Sequence, residues 1–295
     1  MRLLVTGRKG QLVRSLVEQA AGHPDIQIVT TGRPKVDMTE PGSLRTAILA
    51  QSPDLVVNAA AYTLVDQAED EPELARRING AAAGEAAQAA REVGAPIIQI
   101  STDYVFDGTG EKPIDEDRPT APLNSYGASK LAGEEAVRAA NPAHVILRTA
   151  WVISPFGRNF VTSMLAAARS RPDLSAVADQ RGNPTSSLDL ASGILRAAEL
   201  LGQGCADLTG RTFHLAGTGQ ATWFDLATAI MAEAAASGLP HAAVRPILSS
   251  EWPTRALRPS YSVLDCGRFE AATGFAMPDW RGSLHTIVRR LAGAE

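Results

Sequence analysis

Cysteine is almost missing from this 295-residue chain: Cys205 and Cys266 are the only two, far apart and outside any C-x-x-C pair. That excludes a disulfide framework and a zinc site of clustered Cys and His, and a reduced, cytoplasmic setting is expected. Apolar runs of membrane length are lacking as well, and the few residues between Arg2 and Gly7 are too short for a signal peptide, so a soluble protein is expected. Aromatic residues make up only 5%, no basic stripe stands out, and the formal net charge is −4. No nucleic-acid partner is expected on that balance, and an anionic ligand must be held by a local group of cations. Internal repeats are absent, and the only biased composition is that of alanine-rich helices. What the chain does have is 45% hydrophobic residues, enough for one large domain or a domain with a smaller lobe.

The stretch Asn124-Ser-Tyr-Gly-Ala-Ser-Lys130 organises the rest. It sets Tyr126 and Lys130 four residues apart at the start of a helical segment, on one face. A phenol ionises near ~10, and an ammonium group one turn away favours the phenolate, while the phenol can still donate its proton to a carbonyl oxygen gaining charge. Alone, the pair is also readable as a packed tyrosine beside a solvated lysine. The surrounding chain decides between the two.

Arg2–Thr6 is a short apolar strand that stops at Gly7-Arg-Lys-Gly10, and a helix follows from Gln11 to Ala21. Strand, glycine turn and helix in that order form the phosphate-binding start of a dinucleotide fold, with Gly7 and Gly10 letting the backbone approach a pyrophosphate at the helix N-terminus. Val13 stands where a third glycine is expected, which predicts a slightly wider turn. A second strand over Ile26–Thr30 leads to Thr31, Arg33 and Lys35. Basic residues at that strand end suit a 2′-phosphate, so NADPH is favoured slightly over NADH; the alternative at this edge is that Asp37 and Met38 border the adenine. A third strand, Asp54–Asn58, ends in the small residues Ala59, Ala60 and Ala61, which leave room for a ligand. Residues 65–93 read as one helix, or two broken near Pro72, and the acids Asp66, Glu69, Asp70 and Glu71 at its start suit a helix N-terminus. A fourth strand over Pro96–Ile100 delivers Thr102 and Asp103 to the sheet's carboxyl edge, where ligands lie in open α/β sheets. A hydroxyl there either bonds the carbonyl that Tyr126 protonates or makes a local turn bond.

With a fifth strand at His144–Thr149, the alternation predicts an α/β fold: a doubly wound parallel sheet (Rossmann) over residues 1–150. Residues 151–295 are read mainly as a smaller C-terminal substrate lobe, with helices near 159–171, 187–201 and 222–236, short strands near 175–178 and 212–216, and some segments returning to the sheet.

Gly7-x-x-Gly10, Asn58-Ala-Ala-Ala, Ser101-Thr-Asp-Tyr-Val-Phe and Tyr126-x-x-x-Lys130, in that order, make the chain resemble the extended short-chain dehydrogenase/reductases. Val65-Asp-Gln-Ala-Glu69, Ala121-Pro-Leu-Asn-Ser-Tyr-Gly127, Lys130-Leu-Ala-Gly-Glu134, Arg148-Thr-Ala-Trp-Val152, Asn159-Phe, Asp179-Gln-Arg-Gly-Asn-Pro-Thr185 and Arg258-Pro narrow the resemblance to the dTDP-4-dehydrorhamnose reductase family. It spans nearly the whole chain. The resemblance implies reduction of a dTDP-linked 4-keto-6-deoxy sugar, dTDP-6-deoxy-L-lyxo-4-hexulose, with hydride from NADPH or NADH. It implies Tyr126 as general acid, Lys130 as its pKa-lowering partner and ribose contact, and Thr102 as donor to the carbonyl. Gly10, Gln11 and Leu12 would lie under the pyrophosphate, Asp37 and Met38 near the adenosine, and Ala59 to Ala61 beside the cofactor. Asp103, Trp151 and Asn159 would serve the sugar, and Arg258, with Arg158 and Arg255, the phosphates. Some relatives hold magnesium through glutamates at a dimer contact, where this chain has Ser15 and Leu188, so no metal is expected, and a homodimer is left open. Two alternatives stand beside this reading: a 4-ketoreductase of another nucleotide sugar, and a non-catalytic cofactor-binding regulatory subunit similar to that of methionine adenosyltransferase.

Overall fold

Short apolar runs cut by turn residues give the first half its alternation. The computed structural model describes residues 1–293. The chain runs β1 (Arg2–Thr6), α1 (Gln11–Gln19), β2 (Gln27–Thr31), α2 (Ser43–Gln51), β3 (Leu55–Asn58), α3 (Pro72–Arg76), α4 (Ala82–Glu92), β4 (Ile97–Thr102), α5 (Ser125–Ala140) and β5 (His144–Thr149). It continues with β6 (Val152–Ile153), α6 (Phe160–Ala168), β7 (Asp173–Val177), β8 (Arg181–Gly182), β9 (Thr185–Ser186), α7 (Ser187–Gly202), β10 (Arg211–His214), β11 (Ala221–Thr222), α8 (Trp223–Ala236), β12 (Ala243–Ile247), α9 (Gly267–Thr273) and α10 (Trp280–Leu291).

Six strands in the order β10-β5-β4-β3-β1-β2, all parallel, form the central sheet. The chain leaves β1 for β2 on one side and then returns past β1 to β3, so the strand order reverses between β1 and β3 and opens a crevice at their carboxyl ends. Successive residues of each strand face opposite layers. Leu3 and Val5 join Leu12, Leu16, Ile194 and Leu195 under α1 and α7, while Leu4 joins Ile48, Ala86 and Val137 under α2, α4 and α5. The doubly wound sheet expected from the sequence is the observed one, completed by β10 and α7 from the second half of the chain. The remaining elements surround a second core in which Val161, Met164, Leu226, Ile230, Trp280 and Leu284 meet. β7 and β12 pair in parallel along it.

The stretch 65–93 departs from a plain helix. A 3₁₀ turn at Gln67–Glu69 precedes α3, which starts at Pro72, and a π-helical turn at Arg77–Ala81 separates α3 from α4. The wide turn sets Asn79 against α5: its amide donates to Ser129 Oγ at 2.9 Å, and its carbonyl lies where a Cβ on Gly133 would come within 2.1 Å. The acids ahead of it do not serve their own helix. Asp66 binds Arg258 in a bidentate pair at 2.7 and 3.1 Å, Asp70 pairs with Arg255, Glu69 accepts from Ser125 N at 2.7 Å, and Glu71 accepts from the Tyr62 hydroxyl at 2.7 Å. Asp66, Glu69 and Asp70 act as struts because the segment faces the second half of the chain and the start of α5, and Glu71 ties it back to the loop after β3. Among the described residues, no helix is long and apolar enough to cross a membrane.

Candidate active site

A cavity of about 640 Å³ lies at the carboxyl ends of β1, β3, β4 and β5. Its floor begins at Gly7, whose φ of 99° only glycine adopts readily, and a Cβ built there would lie 3.0 Å from Val13 Cγ2. Val13 is buried and lines the cavity beside Leu12, so the branched residue in the third glycine's place packs against Gly7 at the base of the turn. Gly10 is the N-cap of α1 and offers no side-chain cap, and the first turn carries no acid. The helix therefore turns unpaired N–H groups and its positive dipole end on the cavity, which suits a pyrophosphate. Gln11 adds a buried Oε1 with no partner. A dinucleotide fits these residues.

Of the residues singled out in the sequence, Gly7, Gly10, Gln11, Leu12, Ala59, Ala60, Ala61, Thr102, Asp103, Tyr126, Lys130 and Trp151 all line this cavity. Arg33, Asp37, Met38, Asn159 and Arg258 do not. Arg33 lies past the end of β2, bound to Asp37 at 2.9 and 3.1 Å; that bond and those from Thr39 hold the Asp37 carboxyl down at about 2. Met38 packs on the core beneath α2 and α4. Asn159 caps α6, accepting from Val161 N at 3.0 Å and donating to Ser154 O at 2.8 Å, so its amide folds the 154–159 loop whose Gly157 and Arg158 reach the cavity. Arg258 lines a second cavity. Ser15 and Leu188 are buried at the contact of α1 with α7, where the Ser15 hydroxyl bonds that of Ser187 at 2.8 Å.

At the centre, α5 starts under an Asn124 side-chain cap to Gly127 N at 2.8 Å and carries Tyr126 and Lys130 on one face. Enclosure pushes the Tyr126 phenol up to about 12, opposed by a hydrogen bond with Thr102. The Lys130 ammonium donates to Ile100 O at 2.6 Å, and burial lowers it to about 8. The expected depression of the phenol by Lys130 is thus not what these contacts give: desolvation dominates, and the ammonium is directed at the β4 backbone. For a reduction this favours the needed state, because the phenol enters the reaction protonated. Thr102 Oγ1 donates to Asp103 Oδ1 at 2.9 Å, and burial raises Asp103 to about 6 with Oδ2 unpartnered.

Tyr104 and Trp223 were not singled out in the sequence. Tyr104 meets Tyr126 edge to face at 5.8 Å; its place in Ser101-Thr-Asp-Tyr was the available signal. Trp223 opens α8, and sequence offered only its helix. The second cavity, about 880 Å³, is lined by Phe160, Arg171, Trp223, Arg245, Trp252 and Arg258 among others. Trp223 borders both cavities.

A parallel sheet with a glycine turn under a Tyr, Lys and Thr constellation defines a nicotinamide-dependent oxidoreductase of the short-chain dehydrogenase/reductase class. The sequence profile described as RmlD substrate binding domain matches residues 1–292, and the chain belongs to that family. A dTDP-4-dehydrorhamnose reductase of Sinorhizobium fredii is 42% identical over 98% of this chain and 97% of its own length. A crystal structure of a dTDP-4-dehydrorhamnose reductase from Clostridium acetobutylicum superposes with a TM-score of 0.91 at 36% identity, covering 99% of both chains. One from Bacillus anthracis, in complex with NADP, gives 0.90 at 33% identity over 98% of this chain and 99% of that one.

Proposed function

We propose that the chain reduces the 4-keto group of dTDP-6-deoxy-L-lyxo-4-hexulose to give dTDP-L-rhamnose, with NADPH or NADH as reductant. The observation that carries the reading is the convergence of Tyr126, Thr102 and Lys130 at the sheet's carboxyl edge, beside a second cavity lined by aromatic and arginine side chains. When bound, the dihydronicotinamide supplies hydride to the carbonyl carbon, which no side chain can do. Gly7, Gly10, Gln11 and Leu12 seat the pyrophosphate, and Ala59 to Ala61 leave the width the cofactor needs. Arg33, released from Asp37, is the residue that would meet a 2′-phosphate, which favours NADPH. Tyr126 gives its proton to the carbonyl oxygen as charge develops there, while the Thr102 hydroxyl, turned away from Asp103, donates to the same oxygen. Lys130 holds a positive charge behind them. Asp103 and Trp151 contact the hexose, Asn159 serves by shaping the loop above it, and Arg258 faces the diphosphate in the second cavity.

The test is loss of dihydronicotinamide absorbance with purified protein and the 4-keto sugar made in place by a dehydratase and an epimerase. Turnover that requires the epimerase supports the L-sugar substrate. Turnover without it points to another keto sugar, and cofactor binding with no turnover on any keto sugar points to a regulatory role.

A further inference from the structure

Trp223 stands directly behind the cap residue Thr222, whose hydroxyl accepts from Asp225 N at 3.0 Å while the Asp225 carboxylate accepts from Thr222 N at 2.8 Å. That reciprocal cap fixes where the indole leaves α8. The ring lies flat on Trp151, with centroids 3.6 Å apart and planes 6° from parallel, and meets Phe160 at 4.8 Å. Trp151 itself is held in an unusual backbone state, φ 43°, and its indole lies where a Cβ on Gly182 would come within 2.6 Å. A non-glycine residue in that region costs on the order of 1–3 kcal/mol and persists where its surroundings over-determine it. Here Gly182 and Trp223 do so.

Among the described residues, Trp223 alone lines both cavities. A nucleotide sugar whose carbonyl is at Tyr126 and whose diphosphate lies in the larger cavity must therefore carry its hexose past this indole. The stack sits against the apolar cluster of Ile153, Phe160 and Met164. A methyl group brought there gains roughly 0.8 kcal/mol from burial, whereas a hydroxyl left there without a partner costs about 1–3 kcal/mol.

We propose that Trp223 is a specificity-determining residue for the sugar: its indole, backed by Trp151, is the apolar seat for the hexose C5 substituent and selects a methyl over a hydroxymethyl group. The proposal rests on the substrate reading above. Calorimetric titration of the NADP⁺-loaded protein with dTDP, dTDP-β-L-rhamnose and dTDP-β-L-mannose tests it, because the two sugars differ only by the hydroxyl on C6. Wild type should bind the rhamnosyl nucleotide at least about tenfold more tightly than the mannosyl one. In Trp223→Leu the ratio should fall to about twofold with dTDP affinity kept, and Trp223→Phe should lie between. An unchanged ratio in either folded variant overturns the assignment, as does an equal weakening of dTDP and both sugars. Failure of wild type to bind dTDP at all would sink the substrate reading itself and the assignment with it.

Discussion

Gly127 lies so close to the backbone carbonyl of Tyr104 that a Cβ built on it would sit 2.1 Å from that oxygen. The residue after the proposed acid thus seats the first turn of α5 on the turn that follows Thr102 and Asp103. Nothing larger fits without moving one of them. Gly127→Ala is expected to destabilise the fold by about 1–3 kcal/mol through overpacking and to lower kcat by roughly 10²-fold through misalignment of Tyr126 with Thr102. Urea unfolding and steady-state kinetics read the two effects separately. Wild-type kcat in the folded variant would show that this contact does not set the alignment.

Tyr126→Phe removes the proton donor and little volume. Dinucleotide binding, followed by fluorescence titration, should stay within about twofold of wild type while kcat drops by roughly 10²–10⁴. Full activity in this variant would remove Tyr126 from the role of acid.

The two shifted groups at the centre bound a pH window. Burial brings Lys130 to about 8, so its ammonium is present below that value and lost above it; Asp103, raised to about 6, is a carboxylate above that value and neutral below it. The reduction rate should therefore pass through a maximum between these limits and fall on the alkaline side as Lys130 discharges. Lys130→Arg keeps a charge that does not titrate there, so whatever activity it retains should lack the alkaline limb. The same shift acts on stability. From about 8 up to the unfolded lysine value of about 10.4, the unfolded chain binds more protons than the folded one, so this group alone makes stability rise with pH across that interval.

Sequence periodicity made the sheet legible because each of its first five strands is an apolar run closed by turn residues. It also brought most of the named residues to one cavity, because strand-end positions in a parallel sheet converge on one edge. The second half was harder to read. β12 contains Pro246 and is largely exposed, so neither alternation nor length marked it as a strand, and it exists because β7 offers it an edge. In α10 the buried Trp280, Leu284, Ile287 and Val288 fall at helical spacing, so this helix, unlike β12, is marked in the sequence. Arg33, Asp37 and Arg258 illustrate a different limit: their side chains are engaged in ion pairs whose partners are set by tertiary packing.

Glu134 joins this architecture to the chemistry. It is fully buried and accepts from Ser101 Oγ at 2.6 Å on β4, from Arg148 at 2.9 and 2.8 Å on β5, and from Arg138 at 2.8 Å on its own helix. It stands one turn after Lys130, and its charge supports that ammonium against desolvation. Glu134→Gln keeps the shape and removes the charge, leaving Arg148 buried without its counter-ion, so the fold should lose about 3–5 kcal/mol. The Glu134 carboxyl is held below its ordinary value, so its stabilisation is present above about 4.3 and disappears as pH falls through the folded value. The variant's deficit in urea unfolding should accordingly be full at neutral pH and shrink in acid. Its kinetic signature is separate: without the neighbouring anion, Lys130 discharges earlier, and the alkaline limb of the rate profile should move to lower pH. A limb that stays in place while stability falls would show that Glu134 braces the sheet without tuning Lys130.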